Sequence, residues 1–183
     1  MKAIFSDTCE ISQYKPMFKI GDNYAVAFEC KTLKGTAKPK LKNGRFVKTD
    51  EIVDTNECTF KYVVFNSKPS VKEIRETIEE YVNSNVSNKI INGFVYDGKK
   101  INLSKENQMN YKAAYDLAVQ TNGANLPYKI KTSSLNGSTA QYIVFNTLEE
   151  ISTFYLGMNE HINKCLEKGW ETKDSIDYSI YVA

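Results

Sequence analysis

The stretches NYAVAFECKTL, from Asn23 to Leu33, and ECTFKYVVFN, from Glu57 to Asn66, partly alternate apolar with polar positions and are rich in Val, Phe and Tyr. Successive side chains on a strand point to opposite faces, and β-branched and aromatic residues suit that pleated surface, so both stretches predict β-strands. Between them, KLKNGRFVK holds Asn43-Gly44, a pair that tolerates the positive φ of a tight hairpin turn. After Pro69 the period changes. In SVKEIRETIEEYV, Ser70 and Glu73 stand at capping-box spacing, and Val71, Ile74, Ile78, Tyr81 and Val82 share one helical face.

Next, NGFVYDGKKINLS predicts two short strands about Asp97-Gly98. Ser104 is placed to cap a helix running to about Gln120, with Tyr111, Ala114, Tyr115 and Ala118 on one side and Gly123 as its stop. LPYKIKTSS, the turn Asn136-Gly137 and AQYIVFN predict another hairpin. Thr147 with Glu150 then opens a last long helix by a second capping box. The fold class is α+β: a β-rich lobe over residues 1–68, a connecting amphipathic helix over 69–90, and a mixed domain of hairpins and helices over 91–183, with about three amphipathic helices in all. One short sequence recurs. Tyr62-Val63-Val64-Phe65-Asn66-Ser67 and Tyr142-Ile143-Val144-Phe145-Asn146-Thr147 each describe a strand leading towards a helix start, a favoured local design that needs no duplication to explain it.

Composition adds exclusions. The chain has 183 residues and a net charge of only +2, which is not the footprint of a general nucleic-acid binder. One region departs from that balance: Lys31, Lys34, Lys38, Lys40, Lys42, Arg45 and Lys48 lie in a run without an acid. Such a run is expected on a hairpin or loop, either as a solvated strand edge or as a partner contact. No apolar run approaches the ~20 residues of a membrane helix, so a soluble chain is expected. The start, MKAIFSDTCE, lacks the apolar core of a secretory signal. Cys9, Cys30, Cys58 and Cys165 are widely spaced, without a CxxC or a neighbouring His pair, and are read as free thiols and not as a metal site.

No phosphate-binding, dinucleotide-binding or metalloprotease motif is present, and no cofactor is expected. A His-dependent reaction would have to use His161, the only histidine, with Cys165 four residues on. At ~100° per residue, Ile151, Tyr155, Met158 and Ile162 form the centre of the last helix's apolar stripe, and Phe154, Cys165 and Leu166 lie near its edges. His161 stands just beyond. The cluster His161, Ile162, Cys165, Leu166 and Trp170 is therefore read as structural packing, with Gly169 ending the helix and Trp170 folding back over that end. Acid pairs such as Glu149-Glu150 fit the dipole at a helix start, and Tyr111, Tyr115, Tyr128 and Tyr142 are read as packing residues.

From Ile91 to Ile176 the order of elements resembles the domain of unknown function that recurs in bacteriophage tail-fibre-associated and other virion proteins. The resemblance is carried by the hairpin Gly93-Phe94-Val95-Tyr96-Asp97-Gly98, the capped helix after it, and His161-Ile162 followed by Leu166 and Trp170. The β-rich segment before Ile91 is not part of that pattern. The resemblance implies a noncatalytic virion structural protein, tail-, fibre- or head-associated or an adaptor, that works by protein-protein docking. Its partners would be other virion proteins in a homo-oligomer or symmetric assembly; it would be made in the host cytoplasm and carried in the particle, with no membrane role. Two alternatives come from other classes. One is a nucleic-acid-binding accessory protein using residues 31–48, and the other a small hydrolase or transferase centred on His161.

Overall fold

The computed structural model describes residues 2–37, 40–42, 45–47, 51–132 and 141–182. The turns expected at Asn43-Gly44 and Asn136-Gly137 lie outside the described residues. In chain order the elements are β1 (Ile4–Glu10), β2 (Met17–Ile20), β3 (Asn23–Thr36), β4 (Lys40–Lys42), β5 (Arg45–Val47), β6 (Ile52–Phe65), α1 (Val71–Gly93), β7 (Phe94–Tyr96), β8 (Lys99–Ile101), α2 (Lys105–Gln120), β9 (Tyr128–Thr132), β10 (Gln141–Phe145) and α3 (Leu148–Asp174). The fold is α+β. No helix among the described residues is long and apolar enough to cross a membrane.

The chain divides into two compact units, Met1–Glu80 with Asp177–Ala183, and Tyr81–Ile176. The boundaries read from the sequence do not coincide with this division. α1 contributes residues to both units and runs on to Gly93, into the stretch assigned to the hairpin, and the last residues join the first unit. A composition-based boundary sees where a helical pattern begins; it cannot see which core each end of the helix enters.

The first unit is built on a four-stranded antiparallel sheet in the order β1-β6-β3-β2. Ala25, Val26, Ala27 and Phe28 in β3 are all buried, so this stretch of the strand is covered on both faces. On one face Ala27, Cys58 and Phe60 pack with Cys9, Tyr14, Phe18 and Tyr62. A short 3-10 turn, Tyr178–Tyr181, brings Tyr181 to the same strand, where its buried hydroxyl donates to the Ala27 carbonyl at 2.7 Å. Burial holds the Tyr181 phenol above its ordinary pKa, so it remains the donor this bond needs.

The second unit gathers α2, α3 and the hairpins β7–β8 and β9–β10 around Phe154. That ring lies 4.9 Å from Phe145, 5.1 Å from Tyr96 and 5.2 Å from Tyr111, within the range where aromatic pairs gain more than their buried area. Tyr115 and Tyr155 stack at 4.4 Å between α2 and α3. The local chemistry follows the sequence reading closely. Asp97 and Gly98 both adopt positive φ in the β7–β8 turn, the Ser104 hydroxyl accepts from the Asn107 amide, and Gly123 takes positive φ just after α2.

Candidate functional site

The two longest strands of the first unit run past their neighbours. β1 pairs with β6 from Ile4 opposite Val63 to Glu10 opposite Glu57, and β2 pairs with β3 only from Asn23 to Val26. β3 and β6 continue together through Lys34 opposite Asp54 and Gly35 opposite Val53 to Thr36 opposite Ile52. Beyond Glu10 and Glu57 the sheet is therefore a two-stranded ribbon. Among the described residues, the outer edges of its two strands carry no further strand.

Two irregularities interrupt the β3–β6 pairing, one within the sheet and one at the start of the ribbon. In β3, Glu29 and Cys30 stand where the partner supplies only Phe60, and Glu29 takes positive φ, as a bulge residue can. Glu29 is held there by an ion pair to Lys61 at 3.1 Å. In β6, the Thr55 hydroxyl donates to the Leu33 carbonyl at 2.9 Å and also accepts from the Glu57 amide, restoring bonds that the register shift interrupts. Ile52 is 63% and Val53 36% exposed on this ribbon, and Lys31 and Lys34 are exposed on its other strand.

The basic run thus divides. Lys31 and Lys34 belong to β3 itself and not to a hairpin loop. Lys40, Lys42 and Arg45 stand on the short antiparallel pair β4–β5, with Lys42 opposite Arg45. Lys38 and Lys48 lie outside the described residues.

The His161 cluster lies in the second unit. The His161 Nε2 is 3.1 Å from the Lys89 carbonyl in the last turns of α1, and its ring packs 5.5 Å from Phe94. A carbonyl can only accept, so Nε2 carries the proton and donates. Cys165 Sγ lies 3.8 Å from that same nitrogen, which then has no lone pair free to take the thiol proton. A Cys-His dyad needs that lone pair. The histidine instead ties α3 to α1, while the Leu103 amide, in the link between β8 and α2, donates to the Ile91 carbonyl of α1 at 2.8 Å. Ile162, Cys165 and Leu166 are half-buried.

Two expectations about this cluster need correction. Gly169 does not end the helix, because α3 continues to Asp174; the glycine is buried, and a Cβ there would meet Val86 Cγ2 at 2.5 Å. Trp170 does not seal the helix end: it is 57% exposed. The apolar stripe passes from Ile162 to Gly169, seven residues on, which turns Trp170 about 100° away from it. The same stripe, extended by one heptad, would have identified Gly169 as the packing residue.

A further grouping was invisible in the linear sequence. Cys9 and Cys58 are directly opposite on β1 and β6, with Sγ atoms 3.9 Å apart, and the Cys30 thiol reaches that of Cys58 from the β3 bulge. Burial raises the Cys9 and Cys58 thiols above their ordinary pKa, and burial with the neighbouring thiols pushes Tyr14 up to about 12. Among the described residues, no group of three or more His, Cys, Asp or Glu side chains is arranged to hold a metal ion.

These features define an α+β protein whose second unit is an aromatic-cored helix and hairpin assembly and whose first unit projects an open β-ribbon from its sheet. The chain belongs to a family described as a domain of unknown function, DUF4376, whose model matches residues 73–183. That match starts inside α1, well before Ile91, and includes the turn that carries Tyr181; the four-stranded sheet lies outside it. No curated protein and no solved structure matches the chain.

Proposed function

We propose that the chain is a noncatalytic structural component of a bacteriophage particle, docking on other virion proteins through the β3–β6 ribbon. The observation that carries the docking mode is the ribbon's open edges. A strand edge presents unpaired amides and carbonyls that another strand can complete, and exposed Ile52 and Val53 supply apolar anchors beside them. Exposed Lys31 and Lys34 would add attraction to an acidic partner. The phage assignment is supported by the resemblance of the hairpin at Gly93–Gly98 and of the His161-to-Trp170 segment to a virion domain. A tail, fibre or head position, or an adaptor between such parts, fits this reading, as does repetition by particle symmetry.

Mass spectrometry of purified particles tests the first half: the polypeptide is expected among their proteins, and its absence would sink the proposal. A double substitution, Ile52→Glu with Val53→Glu, tests the second. Both side chains are exposed, so the variant is expected to fold and melt like the parent but to be lost from particles. Normal incorporation would remove the ribbon as the docking element. The cations on β4–β5 favour a second reading, phosphate binding, which predicts DNA affinity falling steeply with salt and weakening when Lys40, Lys42 and Arg45 become Ala. Absence of binding at low salt would exclude it.

A further inference from the structure

We propose that Cys9, Cys30 and Cys58 form a thiol-disulfide site at the root of the ribbon, where a peroxide reacts first at Cys30 and the product is a cross-strand disulfide between Cys9 and Cys58. Residues directly opposite in an antiparallel pair have Cα atoms about 4.5 to 5.5 Å apart, inside the span a disulfide bridges. Cys9 and Cys58 are such a pair, and their sulfurs, at 3.9 Å, already lie in contact. The bond therefore needs rotation about side-chain torsions and no new strand pairing.

Exposure orders the three thiols. Cys58 is buried, Cys9 half-buried and Cys30 exposed, so an oxidant in solution meets Cys30 first. Cys58 sits in an apolar cluster with Ala27 and Phe60, with Cys9 and Tyr14 packed against it, surroundings that favour protonated thiols. Cys165 belongs to the other unit and is not part of the group.

The steps balance. The Cys30 thiolate attacks one oxygen of hydrogen peroxide, the O–O bond breaks, and hydroxide leaves and takes the proton Cys30 gave up; Cys30 is now a sulfenic acid. The Cys58 thiol attacks that sulfur and gives up its proton as it does so; the S–O bond breaks, and the leaving hydroxide takes that proton and departs as water. Cys9 then attacks the Cys58 sulfur, expelling Cys30 as a thiolate that takes the Cys9 proton. In net, two thiols lose two electrons and two protons, and the peroxide becomes two waters. The product clamps β1 to β6 one residue pair from Glu10 and Glu57, where the ribbon begins.

The test treats the folded full chain with hydrogen peroxide, alkylates the remaining thiols, and reads the intact mass and the peptide map. The expected product is lighter than the reduced chain by two hydrogens, before alkylation is counted. It holds a Cys9–Cys58 cross-linked peptide, with Cys30 and Cys165 alkylated. The substitution Cys30→Ser, at an exposed position, should slow the cross-link roughly tenfold, whereas Cys165→Ser should not change its rate. Alkylation of both Cys9 and Cys58 after full oxidation, or a cross-link through Cys165, would overturn the site. An unchanged rate in Cys30→Ser would overturn the role given to Cys30.

Discussion

Two near-identical hexapeptides, one in each unit, lead to different structures. In both Tyr62–Ser67 and Tyr142–Thr147 the second and fourth residues are buried: Val63 and Phe65 in β6, Ile143 and Phe145 in β10. The strand phase is thus the same. The surroundings are not, for β6 runs between β1 and β3 while, among the described residues, β10 pairs with β9 alone. Tyr62 accordingly packs with Phe18 and stacks on Phe5 at 5.3 Å, whereas Tyr142 is exposed, with the Lys129 ammonium over its ring. The ends differ too. Thr147 starts α3 at once through a full capping box with Glu150, but Ser67 is followed by Lys68 and Pro69, and α1 waits for Ser70. A residue before proline is disfavoured in the helical region, and the position three after Ser67 holds Ser70 and not an acid. Local sequence set the alternation, and the next three residues set where the helix begins.

The largest effect that can test this contrast lies at the fourth residue. Phe145 is 1% exposed and meets Phe154, Tyr96 and Tyr128, so Phe145→Ala should destabilise the second unit by about 3 to 5 kcal/mol. Phe65 is also buried but has the Lys2 ammonium 4.2 Å from its ring centroid, a neighbour that can follow a shrinking side chain. Phe65→Ala should therefore cost less. Denaturant unfolding of both variants checks the order, and equal losses would mean that the two phenylalanines are equally tightly packed.

A smaller effect separates the caps. Thr147→Ala and Ser70→Ala should each cost about 1 kcal/mol, while Ser67→Ala should stay within about 0.5 kcal/mol. Paired thermal melts decide it, and a Ser67 loss equal to the others would mean that the first hexapeptide also caps a helix. The Ser70 box also has a pH signature. Its amide and hydroxyl both donate to Glu73, holding that carboxyl below its ordinary range. The contribution is present above the ordinary glutamate pKa and is lost as pH falls through the lowered one.

Elements with a local cause were legible in the sequence. The two capping boxes, the Asp97-Gly98 turn and the Gly123 stop each depend on residues within a few positions of one another. The strands at Asn23 and Ile52 were legible as strands but not in length, since their ends beyond Leu33 and before Glu57 carry mixed polar residues such as Asp54 and Asn56. What makes them strands is pairing with each other, a nonlocal cause. The thiol group was hidden for the same reason. Cys9, Cys30 and Cys58 meet only when β6 is inserted between β1 and β3, and no spacing rule encodes that order.

Trp170 departs from the burial its residue type suggests. By kind, the chain's only tryptophan belongs in a core, as Phe154 on the same helix does. By phase it does not, because the buried stripe reaches Gly169 and leaves its neighbour facing outward. Trp170→Ala should therefore change stability by no more than about 0.5 kcal/mol, read from denaturant unfolding beside Phe145→Ala. A loss near that of the core phenylalanine would mean that the indole is covered, and α3 would then have to be rolled relative to Val86. If stability is unchanged but assembly into particles falls, Trp170 joins Ile52 and Val53 as an exposed apolar anchor. A stability change would be evidence about packing; an assembly change without one would be evidence about a partner.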